Sequence, residues 1–509
     1  MDIAKKFRQL AEKDPQKPFL IFRDQPISHA DSVKQINKLA NALNKQGVKK
    51  GDKVVIYLPT SPEYVLSYLA VFSLGAAAVP LDVRLTNEEL IGVLNHSEAS
   101  LFISKPLENM FFSEIAQKAP GLKNIIKCYT EQRDSFLSWN QIMQEESEQL
   151  PPAGPVDEQG LAILYYTSGT TGKPKAVMSN YRSLDNAGET IRYIGLNEEN
   201  SGQVSICALP LSHLGGFVYI QFALELSMTI VVMERFMPLE FLRNIEKYKV
   251  TWFHLVPPMF NAILQLKEFE KFDLTSLKGV DIFGAPSHPS LIQRFGKYCP
   301  NAILWHGWGM TETAAPNTVT GPERLGSIGK NPPWFEVKIF DHNDQELAQG
   351  EIGEIVCRGW PVMMGYYKEP ELTAEIMRNG WLHTGDLGNV DQDGYIYIKG
   401  RKKDMIIVSG LNVYSPEVEH VIAEHPQVQE VGVVGVADKI RGEAVKAVVV
   451  VKEGEQLEDK DIKAFCRERL VNYKVPQIVE FRSSLPKTRS GKIEKQALKE
   501  NSELVEDKA

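Results

Sequence analysis

The sequence predicts an α/β protein that has a large N-terminal body and a smaller C-terminal α+β domain. Up to about residue 325, short apolar runs alternate with helical spacing of apolar residues, which is the pattern of βαβ units around a mostly parallel sheet. Beyond that point, apolar segments alternate with Asp, Asn and Gly turns, as in a small antiparallel, β-barrel-like sheet. We expect two βαβ-type subdomains at about 1–180 and 181–325, an antiparallel β subdomain at about 326–400, and a C-terminal domain at 401–509.

The individual elements follow from the period of the apolar residues, which differs between helices and strands. Predicted strands of the body lie at 53–58, 76–81, 161–164, 203–209, 229–233, 280–283 and 303–305. Its predicted helices lie at 63–73, 238–248 and 259–267. Past residue 325, we predict strands at 337–340, 353–358, 395–399, 431–436 and 447–451, and helices at 416–425 and 459–470.

Composition limits the classes of partner and compartment. The chain has 509 residues, 57 basic and 65 acidic side chains and a net charge of −8, which argues against a nucleic-acid partner. Five scattered cysteines form no C-x-x-C pair, so neither a disulfide framework nor a zinc site is indicated. The first residues lack the features of a signal peptide, and the longest apolar stretch, 65–81, is interrupted by polar residues and Pro80. We therefore expect a cytoplasmic protein without a transmembrane segment.

A glycine-rich segment follows the apolar run 161–164, and we place the chemistry there. Residues 165–175 read Tyr-Tyr-Thr-Ser-Gly-Thr-Thr-Gly-Lys-Pro-Lys. Glycines let backbone amides approach a ligand closely, and hydroxyl and ammonium groups add donors that suit a triphosphate. The G-x-x-x-x-G-K-[ST] spacing of P-loop NTPases is absent. From composition alone, a solvated Ser/Thr/Gly turn is an equal alternative.

Two other predicted strands run straight into glycine-bearing loops. The strand at 280–283 leads into 284–286, and the strand at 303–305 leads into 307–309. In open α/β sheets, ligands bind outside the carboxyl ends of the strands. Together with the glycine-rich segment, these loops indicate one shared crevice.

Five further clusters accompany the glycine-rich segment, and each is weak by itself. They are Ala-Leu-Pro-Leu-Ser-His (208–213), His-Gly-Trp-Gly-Met-Thr-Glu (306–312), Gly-Trp-Leu-His-Thr-Gly-Asp (380–386), Gly-Arg-Lys-Lys-Asp-Met-Ile (400–406) and Leu-Pro-Lys-Thr-Arg-Ser-Gly-Lys-Ile (485–493). In this order and spacing, the motifs resemble those of the adenylate-forming superfamily of acyl-CoA synthetases, carrier-loading adenylation domains and firefly luciferase. The resemblance extends over about residues 20–495. It implies that a carboxylate attacks the α-phosphate of ATP to give an acyl-adenylate and pyrophosphate, and that a thiol, usually that of coenzyme A, then displaces AMP.

The resemblance implies the nucleotide contacts residue by residue. The β- and γ-phosphates would be held by Thr167, Ser168, Gly169, Thr170, Thr171, Gly172 and Lys175. The adenine would be framed by Gly284, Ala285, Pro286 and Trp308, with Gly307, Gly309 and Met310 as neighbouring nucleotide contacts. Thr311 would touch the α-phosphate, and Glu312 would bind Mg²⁺ together with phosphate oxygens. Asp386 would bind the ribose diol, and Arg401 would contact the same sugar from the second domain.

The resemblance gives Lys492 the central catalytic role. The matching lysine reaches in from the C-terminal domain and stabilises the charge that develops during adenylation; without the other motifs, a lysine in a Ser-Gly loop would be read as solvated. Lys403 matches the hinge about which the small domain rotates between the two half-reactions. After rotation, Ser409 and Gly410 would line the passage of the thiol. Ala176 stands where the family usually has glycine, and we expect it to be tolerated at the start of a strand.

The sequence predicts the identity of the carboxylic acid substrate less precisely than the contacts of the nucleotide. Carrier-loading amino-acid domains place Asp after the aromatic residue of the 208–213 motif, whereas Leu214 follows His213 here, so an amino acid is disfavoured. His213 would sit beside the substrate carboxylate, and a structural role for it stays open. The acyl pocket should draw on His213, Gly215, Gly216, Phe217, Trp252, Phe253, His254, Gly284, Trp305, His306 and Gly307. Because Gly215 and Gly216 would leave room, a medium- or long-chain fatty acid is the first candidate and an aromatic acid of the coumarate or benzoate type is the second.

The substrates implied are ATP, coenzyme A and a small carboxylic acid, with Mg²⁺ as the metal. A stand-alone acyl-AMP ligase that loads an acyl carrier protein is an alternative, but such relatives carry an insertion for which this chain shows no candidate. A luciferase-like oxygenase or a non-enzymatic binding module fits less well, because nothing indicates oxygen chemistry and because Glu312 and Lys492 are both present. The sequence is compatible with a monomer or a homodimer.

Overall fold

Four β-sheets organise the protein. The computed structural model describes residues 2–107, 110–130, 135–152, 156–167, 175–201, 203–284, 289–487 and 493–499. Within these ranges, two sheets have eight strands and two have five. Helices pack around the eight-stranded sheets, which are mostly parallel, and the smaller sheets are mostly antiparallel. The predicted fold class is therefore confirmed.

The strands are numbered in chain order. They are β1 Pro18–Phe22, β2 Gln25–Ser28, β3 Lys53–Tyr57, β4 Ala77–Leu81, β5 Leu101–Ser104, β6 Asn124–Lys127, β7 Leu137–Ser138, β8 Leu161–Thr167, β9 Lys175–Asn180, β10 Val204–Cys207, β11 Thr229–Val232, β12 Trp252–Leu255, β13 Gly279–Ile282, β14 Ile303–Trp308, β15 Thr318–Thr320, β16 Phe335–Phe340, β17 Gly353–Gly359, β18 Gly365–Tyr366, β19 Met377–Arg378, β20 Trp381–Val390, β21 Ile396–Arg401, β22 Met405–Val408, β23 Leu411–Tyr414, β24 Val428–Asp438, β25 Gly442–Val451 and β26 Ile478–Phe481.

The α-helices are numbered in the same way. They are α1 Ile3–Lys13, α2 His29–Lys45, α3 Pro62–Ser73, α4 Asn87–Ser97, α5 Phe112–Lys118, α6 Trp139–Glu145, α7 Asn186–Tyr193, α8 Glu198–Ser201, α9 Leu214–Leu226, α10 Pro238–Tyr248, α11 Pro257–Leu264, α12 Pro289–Gly296, α13 Pro370–Ile376, α14 Ser415–Ala423, α15 Asp459–Arg467 and α16 Lys495–Lys499. Short 3₁₀ turns include Thr311–Thr313 and Lys402–Asp404. In the part of the chain that the structure describes, no helix combines the length and apolarity needed to cross a membrane.

The first eight-stranded sheet has the order β18-β9-β8-β4-β3-β5-β6-β7. Its strands from β8 to β7 are parallel, and β9 and β18 add antiparallel at the edge. The centre of β3 is fully buried, as expected for a parallel strand covered on both faces. The carboxyl end of β8 therefore brings the glycine-rich segment to this edge of the sheet.

The second eight-stranded sheet has the order β15-β14-β13-β12-β10-β11-β1-β2. The strands from β14 to β1 are parallel, so the loops at 284 and 309 leave the same end of the sheet. The two large sheets meet through α3 and α9, where the Tyr68 and Phe217 rings are 4.9 Å apart and the Tyr68 hydroxyl donates to the Leu211 carbonyl at 2.9 Å. This packing fixes the two parallel sheets against each other.

Several predicted bounds shift for local reasons. The strand predicted at 203–209 ends at Cys207, before the loop that carries Pro210. The helix predicted at 259–267 begins at Pro257 because prolines suit the first turn of a helix. The helix predicted at 459–470 ends at Arg467. In the C-terminal part, β24 and β25 form a hairpin longer than predicted, with strands of 11 and 10 residues.

Candidate active site

A strand pair clamps both ends of the glycine-rich segment. Thr167 ends β8 and Lys175 begins β9 in register with it, and the Thr167 hydroxyl donates to the Lys175 carbonyl at 3.4 Å. The predicted phosphate contacts between them, Ser168, Gly169, Thr170, Thr171 and Gly172, lie outside the described residues, as do Ala285, Pro286 and Lys492. Ala176 is buried in β9 and has no positive φ. The prediction that alanine is tolerated there is confirmed.

Glu312 lies beside the exit of this segment. It sits in the 3₁₀ turn Thr311–Thr313, and its Oε1 accepts a hydrogen bond of 2.9 Å from the Tyr366 hydroxyl. The Lys175 ammonium lies 5.3 Å from the centre of the Tyr366 ring. Burial, and then the charge of Glu312, raises the pKa of Tyr366, so the phenol stays a donor. Lys175, Tyr366 and Glu312 thus form one cluster, in which Tyr366 was not predicted from the sequence.

The Glu312 turn is held in place by backbone and packing contacts. The Met363 amide donates to the Glu312 carbonyl at 2.8 Å, and the Thr313 hydroxyl donates to the Met310 carbonyl at 3.1 Å. A side chain on Gly309 would lie 2.4 Å from Ala315, so the glycine is required by close packing. Thr311 opens the same turn.

The predicted ribose-binding acid, Asp386, is buried and already paired. Its Oδ2 accepts from the Trp308 indole N–H at 3.1 Å, and its Oδ1 lies 2.6 Å from Arg401 Nε. Asp386 and Arg401 face each other across β20 and β21. The structure therefore brings together three residues that the sequence assigned to the nucleoside.

His213 stands at the start of α9, within 3.8 Å of Asp82 between Nε2 and Oδ2. Burial opposes ionisation of Asp82, but hydrogen bonds from Arg84 outweigh it and lower the pKa of the carboxyl. The imidazole, with a side chain 40% exposed, is thus oriented by an anion and keeps access to solvent. The Asp82–Arg84 pair was not predicted.

A polar row crosses the face of the second sheet that is turned towards α9. His254, Asp281 and Trp305 occupy register positions on β12, β13 and β14. His254 Nε2 is 2.8 Å from the Gly215 carbonyl, and its ring stacks on Tyr219 at 3.6 Å. Burial lowers the pKa of His254 to about 3 and raises the pKa of Asp281 to about 7. Asp281 was missed from the sequence, although a lone carboxylate between Val280 and Ile282 was a usable signal.

Part of the predicted acyl pocket is wrong because neighbouring residues on a strand face opposite sides. Phe253 packs in the core on the far side of the sheet, and His306 faces that side too, with Nδ1 3.1 Å from the Ser327 carbonyl. Two other predicted pocket residues are taken up by core packing. Phe217 is buried against Tyr68 and Phe72, and the Trp252 ring occupies the position that a side chain on Gly279 would need.

The expectation that two glycines leave room in the pocket is also wrong in part. A Cβ on Gly216 would lie 2.2 Å from the Pro210 carbonyl oxygen, so this glycine allows two backbone segments to touch and leaves no room for a substrate. A Cβ on Gly215 would lie 2.9 Å from the Phe283 ring. Gly284 has a φ of +82°, which favours glycine, and Gly307 lies next to the polar row.

The predicted hinge and thiol-passage residues lie in two exposed turns, one after β21 and one after β22. Lys403 is exposed in the turn Lys402–Asp404, and its neighbour Lys402 is 3.1 Å from Glu354 of the body. Ser409 and Gly410 are exposed, with φ of +50° and +81°, in the turn between β22 and β23. Their roles in a rotated state stay a prediction.

Comparison with known proteins decides the family. A model described as "AMP-binding enzyme" matches residues 7–367, and one described as "AMP-binding enzyme C-terminal domain" matches residues 417–492. The chain belongs to the AMP-binding enzyme family. The predicted resemblance to adenylate-forming acyl-CoA synthetases is confirmed.

Three known proteins illustrate what this AMP-binding enzyme is similar to. A long-chain-fatty-acid–CoA ligase of Bacillus subtilis is 33% identical over 520 residues, which cover 96% of this chain and 92% of the relative. A feruloyl-CoA synthase of an Amycolatopsis species is 34% identical over 475 residues, covering 92% of each chain. The crystal structure of an anthranilate CoA ligase in complex with anthranoyl-AMP superposes with a TM-score of 0.90 at 26% identity, covering 97% of this chain and 96% of the other.

Proposed function

We propose that this AMP-binding enzyme is an ATP-dependent carboxylic acid–CoA ligase. In the first step, a carboxylate oxygen bonds to the α-phosphorus of ATP while the bond to pyrophosphate breaks. In the second step, the sulfur of coenzyme A attacks the acyl carbon and loses its proton, and AMP leaves with the electrons of the acyl–oxygen bond. ATP and coenzyme A as substrates follow from the family, and the relatives are named for CoA ligases with several different acids.

The cluster of Lys175, Tyr366 and Glu312 is the observation that carries this proposal. It places an ammonium group, a phenol donor and a carboxylate at the exit of the glycine-rich segment. Since phosphoryl transfer needs positioning and charge neutralisation more than covalent help, this is the equipment that the first step requires. Lys175 would contact phosphate oxygens, and Tyr366 would keep Glu312 oriented.

Glu312 fits a Mg²⁺ ion. Mg²⁺ prefers oxygen ligands and is bound in nucleotide sites by one or two carboxylates together with substrate phosphates, and Glu312 supplies one carboxylate beside the segment assigned to the phosphates. When bound, the ion would neutralise phosphate charge. The chain's own contribution is to hold the carboxylate through the hydroxyl of Tyr366.

Two further assignments complete the proposed mechanism. Asp386 and Arg401 would bind the ribose, because a carboxylate and a guanidinium together suit a vicinal diol. Lys492 would stabilise the charge on the α-phosphate, and rotation about Lys403 would then bring Ser409 and Gly410 to the thiol. We include in this proposal that the chain divides near residue 400 into a body and a domain that moves relative to it.

For the acid, the first candidate is a medium- or long-chain fatty acid. The similarity to a long-chain-fatty-acid–CoA ligase supports it. An aromatic acid is the second candidate, and a specific observation favours it: the rings of Tyr219 and Phe283 lie 3.6 and 5.0 Å from the ring of His254 in the polar row, so this part of the predicted acyl pocket is rich in aromatic side chains. The similarity to a feruloyl-CoA synthase supports this second candidate.

The proposal is tested by product analysis of the purified full chain. A panel of fatty and aryl acids, with ATP, Mg²⁺ and coenzyme A, should release AMP and pyrophosphate and form the thioester. Omitting coenzyme A should leave acid-dependent ATP–pyrophosphate exchange. Release of ADP, or exchange that does not depend on the acid, would contradict the proposal.

A further inference from the structure

Three unpaired polar atoms lie side by side on the face of the second sheet that is turned towards α9. Asp281 Oδ1, His254 Nδ1 and Trp305 Nε1 are buried and have no hydrogen-bond partner among the described residues. Asp281 is 7% exposed and His254 is 1% exposed. Because buried polar groups in folded proteins are nearly always paired, three such atoms together indicate that something else supplies their partners.

The register of the strands brings the three side chains together. His254 pairs with Asp281 across β12 and β13, and Asp281 pairs with Trp305 across β13 and β14. Neighbouring strands lie about 4.8 Å apart, and side chains in register project from the same face. The row is therefore short enough for one small ligand group to reach two of its members.

The hydrogen-bonding roles of the row follow from its other contacts. His254 Nε2 lies 2.8 Å from the Gly215 carbonyl, which can only accept, so Nε2 carries the proton and Nδ1 is an acceptor. Burial keeps the imidazole neutral by lowering the pKa of His254. The Asp281 oxygen accepts when ionised, and the Trp305 N–H can only donate. The row thus offers two acceptors and one donor.

The row adjoins the proposed reaction centre on its acyl side. A Cβ on Gly307, in the motif assigned to the nucleotide, would lie 3.8 Å from Asp281 Oδ1. Gly215, which His254 contacts, lies in the first turn of α9 two residues after His213, the residue assigned to the substrate carboxylate. A substituent on the acyl chain, beyond the carboxylate, is the part of the substrate that would reach the row between Gly307 and Gly215.

We propose that Asp281, His254 and Trp305 form a subsite for a hydroxyl group carried by the acyl part of the substrate. The proposal rests on the function proposed above and adds to it the class of acid: a hydroxy acid, aromatic or aliphatic, in place of an unsubstituted one.

A hydroxyl group matches the row better than other substituents. It donates one hydrogen bond to Asp281 or to His254 Nδ1 and accepts one from the Trp305 N–H. An ammonium group cannot accept from Trp305, and a second carboxylate cannot donate and would be repelled by Asp281. A methylene chain would leave all three buried atoms without partners, which is unfavourable.

The test compares acids that differ only by a hydroxyl group. The pairs are 4-hydroxycinnamate with cinnamate and 12-hydroxydodecanoate with dodecanoate, assayed for kcat/KM of AMP release by the full chain. Because a site built to bond a hydroxyl rejects the analogue that lacks it, we expect the hydroxy member of at least one pair to be preferred about 100-fold. In Asp281→Leu, this preference should fall to about threefold or less.

Two further variants separate recognition from stability. Asp281→Asn keeps a hydrogen-bonding side chain of the same size, so it should retain part of the preference, and it serves as the readout if the leucine variant does not fold. Val280→Ala changes the adjacent buried residue on the opposite face of β13, so it should leave the preference unchanged. Equal use of both members of each pair by the wild type, or a preference that Asp281→Leu and Asp281→Asn both leave intact, would overturn the proposal.

Direct binding separates this proposal from the function on which it rests. Calorimetry with the same acids should show tighter binding of the hydroxy member by the wild type and loss of that difference in Asp281→Leu. If no acid drives AMP release but this difference in binding remains, the proposed function fails and the subsite stands. If AMP release occurs without discrimination, the function stands and the subsite fails.

Discussion

Tyr366 is the only described side chain seen to donate a hydrogen bond to Glu312, and it was invisible in the motif analysis. It lies in β18, a two-residue strand that joins the edge of the first sheet through β9. This edge pairing and the hydrogen bond from the Met363 amide to the Glu312 carbonyl bring residue 366 next to the turn Thr311–Thr313. A contact across 54 positions in the chain depends on tertiary structure, and the local pattern around Tyr366 gives no signal for it.

Replacing Tyr366 tests whether Glu312 must be oriented for adenylation. Tyr366→Phe removes the donor to Glu312 and keeps the ring over Lys175. Since a hydrogen bond to a charged group contributes about 1.5–3 kcal/mol, we expect acid-dependent ATP–pyrophosphate exchange to fall about tenfold or more.

The adjacent residue supplies the matched control. The Tyr367 hydroxyl donates to Glu98 at 2.7 Å on the surface, so Tyr367→Phe should leave the exchange within about twofold of the wild type. Equal losses in the two variants would show that the Glu312 contact has no special role.

Because Asp281 is buried, we expect the free energy of unfolding of the protein to depend on pH. Burial raises its pKa to about 7, whereas an aspartate in an unfolded chain titrates near 4. Between these two values the folded state binds the proton more tightly, so the free energy of unfolding decreases as the pH rises from about 4 to about 7, and above that the cost is constant. The facing groups, His254, Tyr219 and Cys207, stay neutral because burial shifts their pKa values away from this range.

Thermal unfolding of Asp281→Asn at two pH values measures this effect. The variant removes a buried charge whose cost is about 2–4 kcal/mol at full ionisation. We therefore expect its Tm to exceed that of the wild type by several degrees at pH 8 and by clearly less at pH 5. A difference that is the same at both pH values would show that Asp281 does not titrate in this range.

At the scale of elements, sequence spacing located twelve of the 26 strands and five of the 16 α-helices in the described chain, but not the faces that they present. The consecutive residues Trp252, Phe253 and His254 were all assigned to the acyl pocket, yet in β12 they must alternate between two faces. Phe253 joins one core and His254 the polar row. The packing of α9 on the sheet decides which face of β12 carries the polar row, and the spacing of residues in the sequence does not predict this packing.

The turn between β22 and β23 carries a prediction for the second half-reaction. Gly410 has a φ of +81° and no heavy atom within 4 Å of an added Cβ. If this turn lines the passage of the thiol after rotation, Gly410→Leu should lower thioester formation from supplied acyl-AMP at least tenfold and change adenylation less than threefold.

Gly454 provides a control that is matched in backbone strain. It lies in the same C-terminal part, with a φ of +83° and the same open surroundings, so Gly454→Leu carries a similar conformational cost. Both half-reactions of this variant should stay close to those of the wild type. The same kinetic effect in both leucine variants would exclude a specific role for residue 410.

At the scale of the whole molecule, the order of the strands in the large sheets goes beyond what the sequence predicted. β1 and β2 come from the first 28 residues but pair at the edge of the second sheet, through β11. β18, from beyond residue 360, closes the edge of the first. Short strands of this kind leave weak sequence signals, because their position depends on which sheet edge is free. Seven parallel strands, β3, β4, β8, β10, β11, β13 and β14, were predicted from their apolar runs, whereas the central strands β5 and β12 were not.

Lys492 tests how the C-terminal domain serves the two half-reactions. If this domain delivers a cation for adenylation and then rotates, Lys492→Ala should lower ATP–pyrophosphate exchange about 10²- to 10³-fold, comparable to losing one donor aimed at transition-state charge. Thioester formation from supplied acyl-AMP should stay near the wild-type rate, because the rotated domain presents Ser409 and Gly410 instead.

Lys487→Ala is the control. Lys487 lies in the same motif but forms an ion pair with Glu430 at 2.6 Å. This variant should leave both half-reactions nearly unchanged. Equal losses of both half-reactions in Lys492→Ala would mean that the domain does not alternate.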